Sequence, residues 1–445
     1  MMKIHPFSKK INREYRELAR KLHDKKFYEN INNLLKKNGY IYSQESDTQI
    51  FFNQPFFFGN SVSKYLQTLV DKTNNLFSEI YPLILYGKNN NYLKFLDYQR
   101  QALDYIRNNN PAQIFRIDGG ILKDSKKLIF MELNTNNPGG IYNIDGIERI
   151  LFQEDPALDE LKQKYNLKLY DRMDALSDSM IKYFENYQRR VGKNLEDKFL
   201  ILGDRSGEQI PYNQLKSYLS SKGLDVSIVM NDDPELLYNH KGVFYQGKKV
   251  GFVNRRIKSN ELIKKVSFLI NASKLGQVCI FNSFSSGVLG VKKLYILLND
   301  KEFQSKLSSE SQSFIKDYIP ETYDFLDFIR NDKFNELKNS KNKWVLKPNS
   351  GEQGIGVIIG SDISQTEWER ELKKLKRDNK KLKSGRIILQ SHLNLTRIND
   401  CTYDYNLLSF EGIFFPFGRV AKDKNSKTNI AQGGSYIPSF RYTQK

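Results

Sequence analysis

The sequence predicts a mixed fold, α+β in some stretches and α/β in others, and three observations predict it. Amphipathic spacing in REYRELARKLHDKKFYENINNLLKKNG, with Gly39 as a stop, marks a mostly helical amino-terminal part. A buried-type strand KFLILGD (Lys198–Asp204), a helix in EQIPYNQLKSYLSSKG closed by Gly223, and a second strand LDVSIVM make a strand–crossover–strand unit, which implies parallel pairing. Two short strands, QIFRID and LIFMELN, flank the polar turn KDSKK and read as an antiparallel hairpin centred near Ser125.

The elements follow in chain order. Residues 1–110 read as helices interrupted by an aromatic loop, IFFNQPFFFGN. After the hairpin come YNIDGIERILFQ and a long helical stretch from about Pro156 to Arg190. Beyond the βαβ unit, GVFYQGKKVGFVNRRI reads as a hairpin leading to Arg255 and Arg256, and VCIFNSFSSGVLG as a strand and Gly/Ser loop entering the helix VKKLYILLND. The last third alternates strands and helices: KWVLKP, GVIIG, a basic helix, RIILQSHL, and YNLLSFEGIFFPFGRVA.

A chain of 445 residues, 39% hydrophobic and 13% aromatic, suffices for two or three lobes with real cores. The formal charge of +19 admits an acidic partner: a nucleotide, a polyanionic substrate, nucleic acid or an acidic carrier protein. The densest basic run, KKLKRDNKKLKSGR (Lys373–Arg386), reads as a solvated helix face, so nucleic acid is not the expected partner. Cys279 and Cys401 stand far apart, with no metal-ligand or disulfide spacing. No apolar run is long enough for a signal peptide or a membrane span, so the expected setting is cytoplasmic and reducing.

Two constellations carry chemistry. Residues two apart on a strand share a face, so Arg116 and Asp118 share one, as do Glu132 and Asn134. In the expected hairpin, Asp118 lies opposite Glu132 and Arg116 opposite Asn134. That face suits Mg²⁺, which takes few protein oxygens and completes its shell with phosphate; it also suits an ordinary polar sheet surface. The second is KWVLKPNSGEQGIGVIIG. Lys347 ends an apolar strand, a loop with Gly351, Gly354 and Gly356 follows, and the chain re-enters a strand. It is neither a Walker loop nor a dinucleotide fingerprint. Strand–Gly loop–strand instead suits a flap over phosphates, or a plain hairpin tip. The strand RIILQSHL, near Gln390 to Leu393, has an end whose backbone could meet a purine edge.

Taken in order, these parts resemble the ATP-grasp superfamily. Because the segment RID…MELN precedes the flap by more than 200 residues, they resemble its circularly permuted ligases, such as the synthetase domain of glutathionylspermidine synthetase. The resemblance covers roughly residues 110–440, and it implies roles. Asp118, Glu132 and Asn134 would hold Mg²⁺ against ATP, Arg116 would stabilise the transferring γ-phosphoryl group, Lys293 and Lys347 would hold the α/β-phosphates, and Arg419 would reach the γ-phosphate. It further implies a permuted ATP-grasp fold with a metal-binding segment at 111–197, a Rossmann-like pre-ATP-grasp region at 198–290 and a nucleotide-binding region at 291–445. The flap Gly351-Glu352-Gln353-Gly354 departs from that relative's G-R-E-G, so glutathione and spermidine are not implied. Arg255 and Arg256 either clamp a substrate carboxylate or pair with surface acids. The expected activity is an ATP-dependent, Mg²⁺-dependent ligation of a small-molecule or peptide carboxylate to an amine through an acyl phosphate. The alternatives are acyl transfer to a thiol on an acidic carrier protein, or non-catalytic binding of ATP or nucleic acid on the same fold.

Overall fold

The computed structural model describes residues 9–40, 51–87, 91–97, 112–203, 209–257, 267–349, 354–381, 387–422, 428, 430 and 433–443. A six-stranded sheet forms its centre, from β18 (Ser435–Ile437), β17 (Ile413–Val420), β16 (Cys401–Phe410), β2 (Ile114–Ile121) and β3 (Leu128–Asn134), with β15 (Arg397–Ile398) beside β16. Its strands pair antiparallel throughout. A second sheet, in the order β10 (Cys279–Phe281), β9 (Phe252–Arg255), β4 (Lys198–Gly203), β5 (Asp225–Met230), is wholly parallel. A third, antiparallel sheet runs β11 (Thr322–Asp324), β14 (Ile387–Ser391), β12 (Trp344–Pro348), β13 (Ile358–Ile359). A small meander of β6 (Leu236–Asn239), β7 (Gly242–Tyr245) and β8 (Lys248–Lys249), and the pair β1 (Phe56–Phe58) with β19 (Ser439–Arg441), complete the strands.

Each sheet has its own packing. The largest apolar cluster joins the six-stranded sheet to the long helix Asn60–Tyr86 and the helices between 141 and 191. A smaller cluster holds one face of the parallel sheet, with Leu200, Leu202, Val253 and Ile280. A third, with Phe325, Leu346, Trp368 and Leu389, holds the third sheet against its helices. The cleft of interest lies where this last lobe meets the six-stranded sheet. No helix among the described residues is long and apolar enough to cross a membrane.

The hairpin forms in the expected register. Arg116 pairs Asn134 and Asp118 pairs Glu132, and the ladder shifts between Asp118 and Gly119 so that Met131 has no partner in it. That bulge matters later, because it frees a backbone carbonyl from the ladder. The βαβ unit forms as well: β4 and β5 are parallel, and Gly223 takes φ +86 just past the helix Gln209–Ser221.

Three expectations need correction. The helical stretch from Pro156 to Arg190 is two helices, Pro156–Tyr165 and Arg172–Val191, because Asn166 and Asp171 take left-handed conformations. Between them, Lys168 exchanges backbone hydrogen bonds with Arg441. The amino-terminal amphipathic run is also two helices, Lys9–Leu22 and Lys25–Lys37, since the Asp24 carboxylate accepts from Phe27 N and starts the second. The aromatic stretch is no loop: Phe56, Phe57 and Phe58 are buried in β1, paired parallel to β19, with Phe56 and Phe58 against Tyr405. A run of rings with no exposed face is core, and it offers nothing to close over a site.

Candidate active site

A row of polar side chains crosses one face of the six-stranded sheet. The strand register brings them together: Arg419 of β17 is paired with Asp404 of β16, Asn406 of β16 with Asp118 of β2, and Asp118 with Glu132 of β3. Arg116 grips Asp118 through Nε (2.5 Å) and Nη2 (2.8 Å), and donates from Nη1 to Gly139 O (2.8 Å). Arg419 Nη2 donates to Asp118 Oδ2 at 2.9 Å and to Asp404 Oδ2 at 2.6 Å. The Thr428 hydroxyl also donates to Asp404, at 2.7 Å. Burial opposes ionisation of Asp118, but the two guanidinium groups outweigh it and bring its pKa down to about 2. The same carboxylates hold Arg419 above its ordinary range, against the opposing effect of burial.

The row continues into a cleft between the two antiparallel sheets. Its walls are Met131, Glu132 and Leu133 of β3, Lys347 of β12, and Ile388 and Gln390 of β14, with Gly290, Val291, Lys292 and Tyr295 between them. Gly290 sits so close to Thr135 that a Cβ would meet its Oγ1 at 2.7 Å, so only glycine lets this segment pack under β3. Lys292 Nζ lies 3.1 Å from Glu132 Oε1. Lys347 Nζ donates to Gln390 Oε1 at 2.6 Å and to Met131 O at 3.3 Å, the carbonyl freed by the bulge. The Gln390 amide in turn donates to Thr322 Oγ1 at 3.1 Å. Burial pushes Lys347 down to about 8; Glu132 partly offsets this and Lys292 adds to it. The side chains close on one another and leave about 10 Å³, room for one water. A larger ligand does not fit the cleft in this arrangement.

β12 and β13 do form an antiparallel hairpin around the glycine loop. Gly354 and Gly356 take φ +70 and +74, and a Cβ on Gly356 would press into Pro348. Gly351 lies outside the described residues. Lys293 is not in the cleft: its Nζ bonds Asp97 Oδ2 (2.8 Å) and Phe95 O (3.2 Å), while its backbone N–H donates to Asn349 Oδ1 (2.9 Å). Its neighbour Lys292 takes the inward place, because successive residues at a helix start point apart. Two donors proposed for a purine edge are engaged: Ser391 N donates to Glu321 O and His392 N to Lys343 O. Leu393 is half-buried just beyond them.

Arg255 turns its guanidinium onto the chain's own groups. It is fully buried and donates to the carbonyls of Ile257, Asn282 and Ser283 and to Asn136 Oδ1. Arg256 is half-buried over the Tyr142 ring. Sequence reasoning missed Asp404, Asn406, Lys292 and Tyr295. Asp404 and Asn406 carried a signal, the same two-residue alternation as in β2 and β3; Tyr295 carried none.

Two carboxylates and an amide are the donor types a hard cation takes. Glu132 fits that use, since it borders the cleft, and Asn134, two residues along the same strand face, has an amide oxygen to offer; its buried Nδ2, a donor and not a metal ligand, has no hydrogen-bond partner among the described residues. Asp118 fits less well, since both its oxygens already accept from guanidinium groups. Among the described residues no cluster of three or more His, Cys, Asp or Glu side chains is placed to hold a metal.

No family model matches the sequence, and no curated protein matches it. Among solved structures, the chain is similar to a glutathione synthetase-like effector, GSS30, from Globodera pallida in its apo form. The TM-score is 0.59 at 12% identity, over 93% of this chain and 96% of that one. The fold is therefore like that of this glutathione synthetase-like effector. At that identity the likeness is one of fold, and it does not single out glutathionylspermidine synthetase.

Proposed function

We propose that the protein is an ATP-dependent carboxylate–amine ligase. What supports this is one observation above the rest: Glu132, Lys292, Lys347 and Gln390 converge from separate elements on a single cleft beside a glycine hairpin. Phosphoryl transfer asks chiefly for positioning and for cations around the phosphates. Lys292 and Lys347 are those cations. Arg116 and Arg419 offset the repulsion between a carboxylate acceptor and the γ-phosphate. Glu132 and Asn134, with Asp118 behind them, would hold magnesium, which when bound offsets phosphate charge. A substrate carboxylate oxygen attacks the γ-phosphorus, the bond to the β-phosphate oxygen breaks, and ADP leaves. An amine then attacks the acyl carbon, loses a proton and expels phosphate. A carboxylate is ionised near neutral pH and needs no base, which separates it from a hydroxyl acceptor. Circular permutation and a cytoplasmic setting belong to the same proposal; transfer to the thiol of an acidic carrier is its alternative.

A second reading is a non-catalytic binding protein on this fold. It is favoured by the pairing of every carboxylate in the row with a cation of the protein itself. One experiment separates the two. ATP, magnesium, hydroxylamine and a panel of amino acids and small carboxylic acids are incubated with the protein. Hydroxamate with matching ADP for at least one acid supports the ligase. A stable phosphate ester makes it a kinase, and Mg-ATP binding without ADP from any acid supports the second reading.

A further inference from the structure

Tyr295 stands in the cleft wall with Glu132, Lys292 and Lys347. The residue is 3% exposed, and its hydroxyl is buried with no hydrogen-bond partner among the described residues. The Tyr405 hydroxyl also lacks a partner among the described residues, but its ring lies in the aromatic core against Phe56 and Phe58. Tyr295 differs because its neighbours are charged. Neither carboxylate near it takes its proton: Glu132 Oε1 lies against Lys292, and both oxygens of Asp118 accept from Arg116 and Arg419. Burial first, then the charges of Glu132 and Asp118, raise its pKa well above the usual phenol range, so it stays a neutral donor. Leaving a buried donor unpaired is unfavourable, and a ligand with anionic oxygens would relieve it.

We infer that the Tyr295 hydroxyl donates a hydrogen bond to a phosphoryl oxygen of a nucleoside triphosphate seated between Glu132 and Lys347. This rests on the nucleotide reading above. The neutral donor supplies what the lysines do not, a directional bond that adds no charge beside Glu132. The test is Tyr295→Phe, which removes one oxygen and keeps the ring. Mg-ATP and Mg-tripolyphosphate are titrated into both proteins by calorimetry, and both are melted. The variant is expected to melt at or above wild type, while its affinity for both ligands falls by the same factor, about tenfold. A merely structural tyrosine cannot move stability and affinity in opposite directions. Unchanged Mg-ATP affinity overturns this inference alone, as does a loss confined to ATP, or a variant that melts well below wild type. Wild-type protein that binds neither ligand overturns the nucleotide reading and this inference together.

Discussion

The two halves of the polar row follow different rules. On the six-stranded sheet, Arg116, Asp118, Asp404 and Arg419 form a closed lattice, with two guanidinium groups spread over two carboxylates. In the cleft, Glu132 pairs with Lys292 on one wall and Lys347 with Gln390 on the other, Lys347 Nζ reaches across to Met131 O, and Tyr295 and Asn134 keep buried atoms with no hydrogen-bond partner among the described residues. The first half lies within a single sheet, where strand register fixes every partner. The second is shared between two sheets, whose walls are joined by the 3.3 Å bond from Lys347 Nζ to Met131 O. A closed lattice stabilises and sets a local field. Charged pairs that face each other across a cleft, with unsatisfied donors beside them, are where a ligand gains most.

If that contrast is right, the largest effect on stability comes from the closed half. Arg419→Ala leaves Asp118 and Asp404 buried with too little positive charge. Removing one partner of a buried ion pair costs about 3–5 kcal/mol. Equilibrium denaturation should show a loss of that size; a loss under about 1 kcal/mol would mean the lattice is not a structural unit.

Glu132→Gln, in the open half, should show the opposite pattern. Glu132 is partly exposed and its ion pair with Lys292 lines the cleft, so stability should shift by less than about 1 kcal/mol. ATP-dependent hydroxamate formation should fall by about 10²–10³, the usual cost of one lost charge-stabilising contact. A well-folded variant with wild-type turnover would remove Glu132 from the site.

Lys347 gives the contrast a pH dependence. Burial lowers its folded pKa to about 8, so the ammonium that phosphates require is present below that pH and lost above it. Mg-ATP affinity should be level to about pH 7 and fall by up to about tenfold per unit beyond pH 8. The stability of the free protein should respond with the other sign. From about pH 8 to 10.4 the unfolded chain holds the proton more tightly, so this group's contribution to stability rises with pH. Lys347→Arg, charged throughout, should flatten the affinity profile; a profile that stays unchanged in that variant assigns the titration to another group.

Strand periodicity made much of the closed half legible. Two-residue alternation in QIFRID and LIFMELN placed four side chains correctly, because a hairpin around a short polar turn has few registers. The same alternation in YDYNLL held Asp404 and Asn406 and passed unread, since their meaning depends on β16 pairing with β2 across nearly 300 residues. The open half was less legible. Tyr295 looks like any helical aromatic until the third lobe folds over it. Phe56 to Phe58 misled for the opposite reason: a continuous aromatic run reads as a loop, and its burial comes from a parallel partner at the far end of the chain.

The smallest expected effect tests which of two adjacent lysines belongs to the cleft. The family resemblance favoured Lys293, and a one-residue slip in a helical stretch rotates the side chain by about 100°. The structure turns Lys292 toward Glu132 and leaves Lys293 Nζ against Asp97 and the Phe95 carbonyl, over the Phe95 ring. Lys293 therefore anchors the end of the helix Asn91–Phe95, and its truncation should cost about 1 kcal/mol of stability, because Asp97 is partly exposed. Its effect on Mg-ATP affinity should stay below about twofold, whereas Lys292→Ala should weaken Mg-ATP by about tenfold or more, since hydrogen bonds to charged groups carry about 1.5–3 kcal/mol. Calorimetric titration of the two alanine variants reads this directly. A larger loss in Lys293→Ala than in Lys292→Ala would reverse the assignment and imply that the segment from Gly290 to Tyr295 rotates when the lobes close on nucleotide.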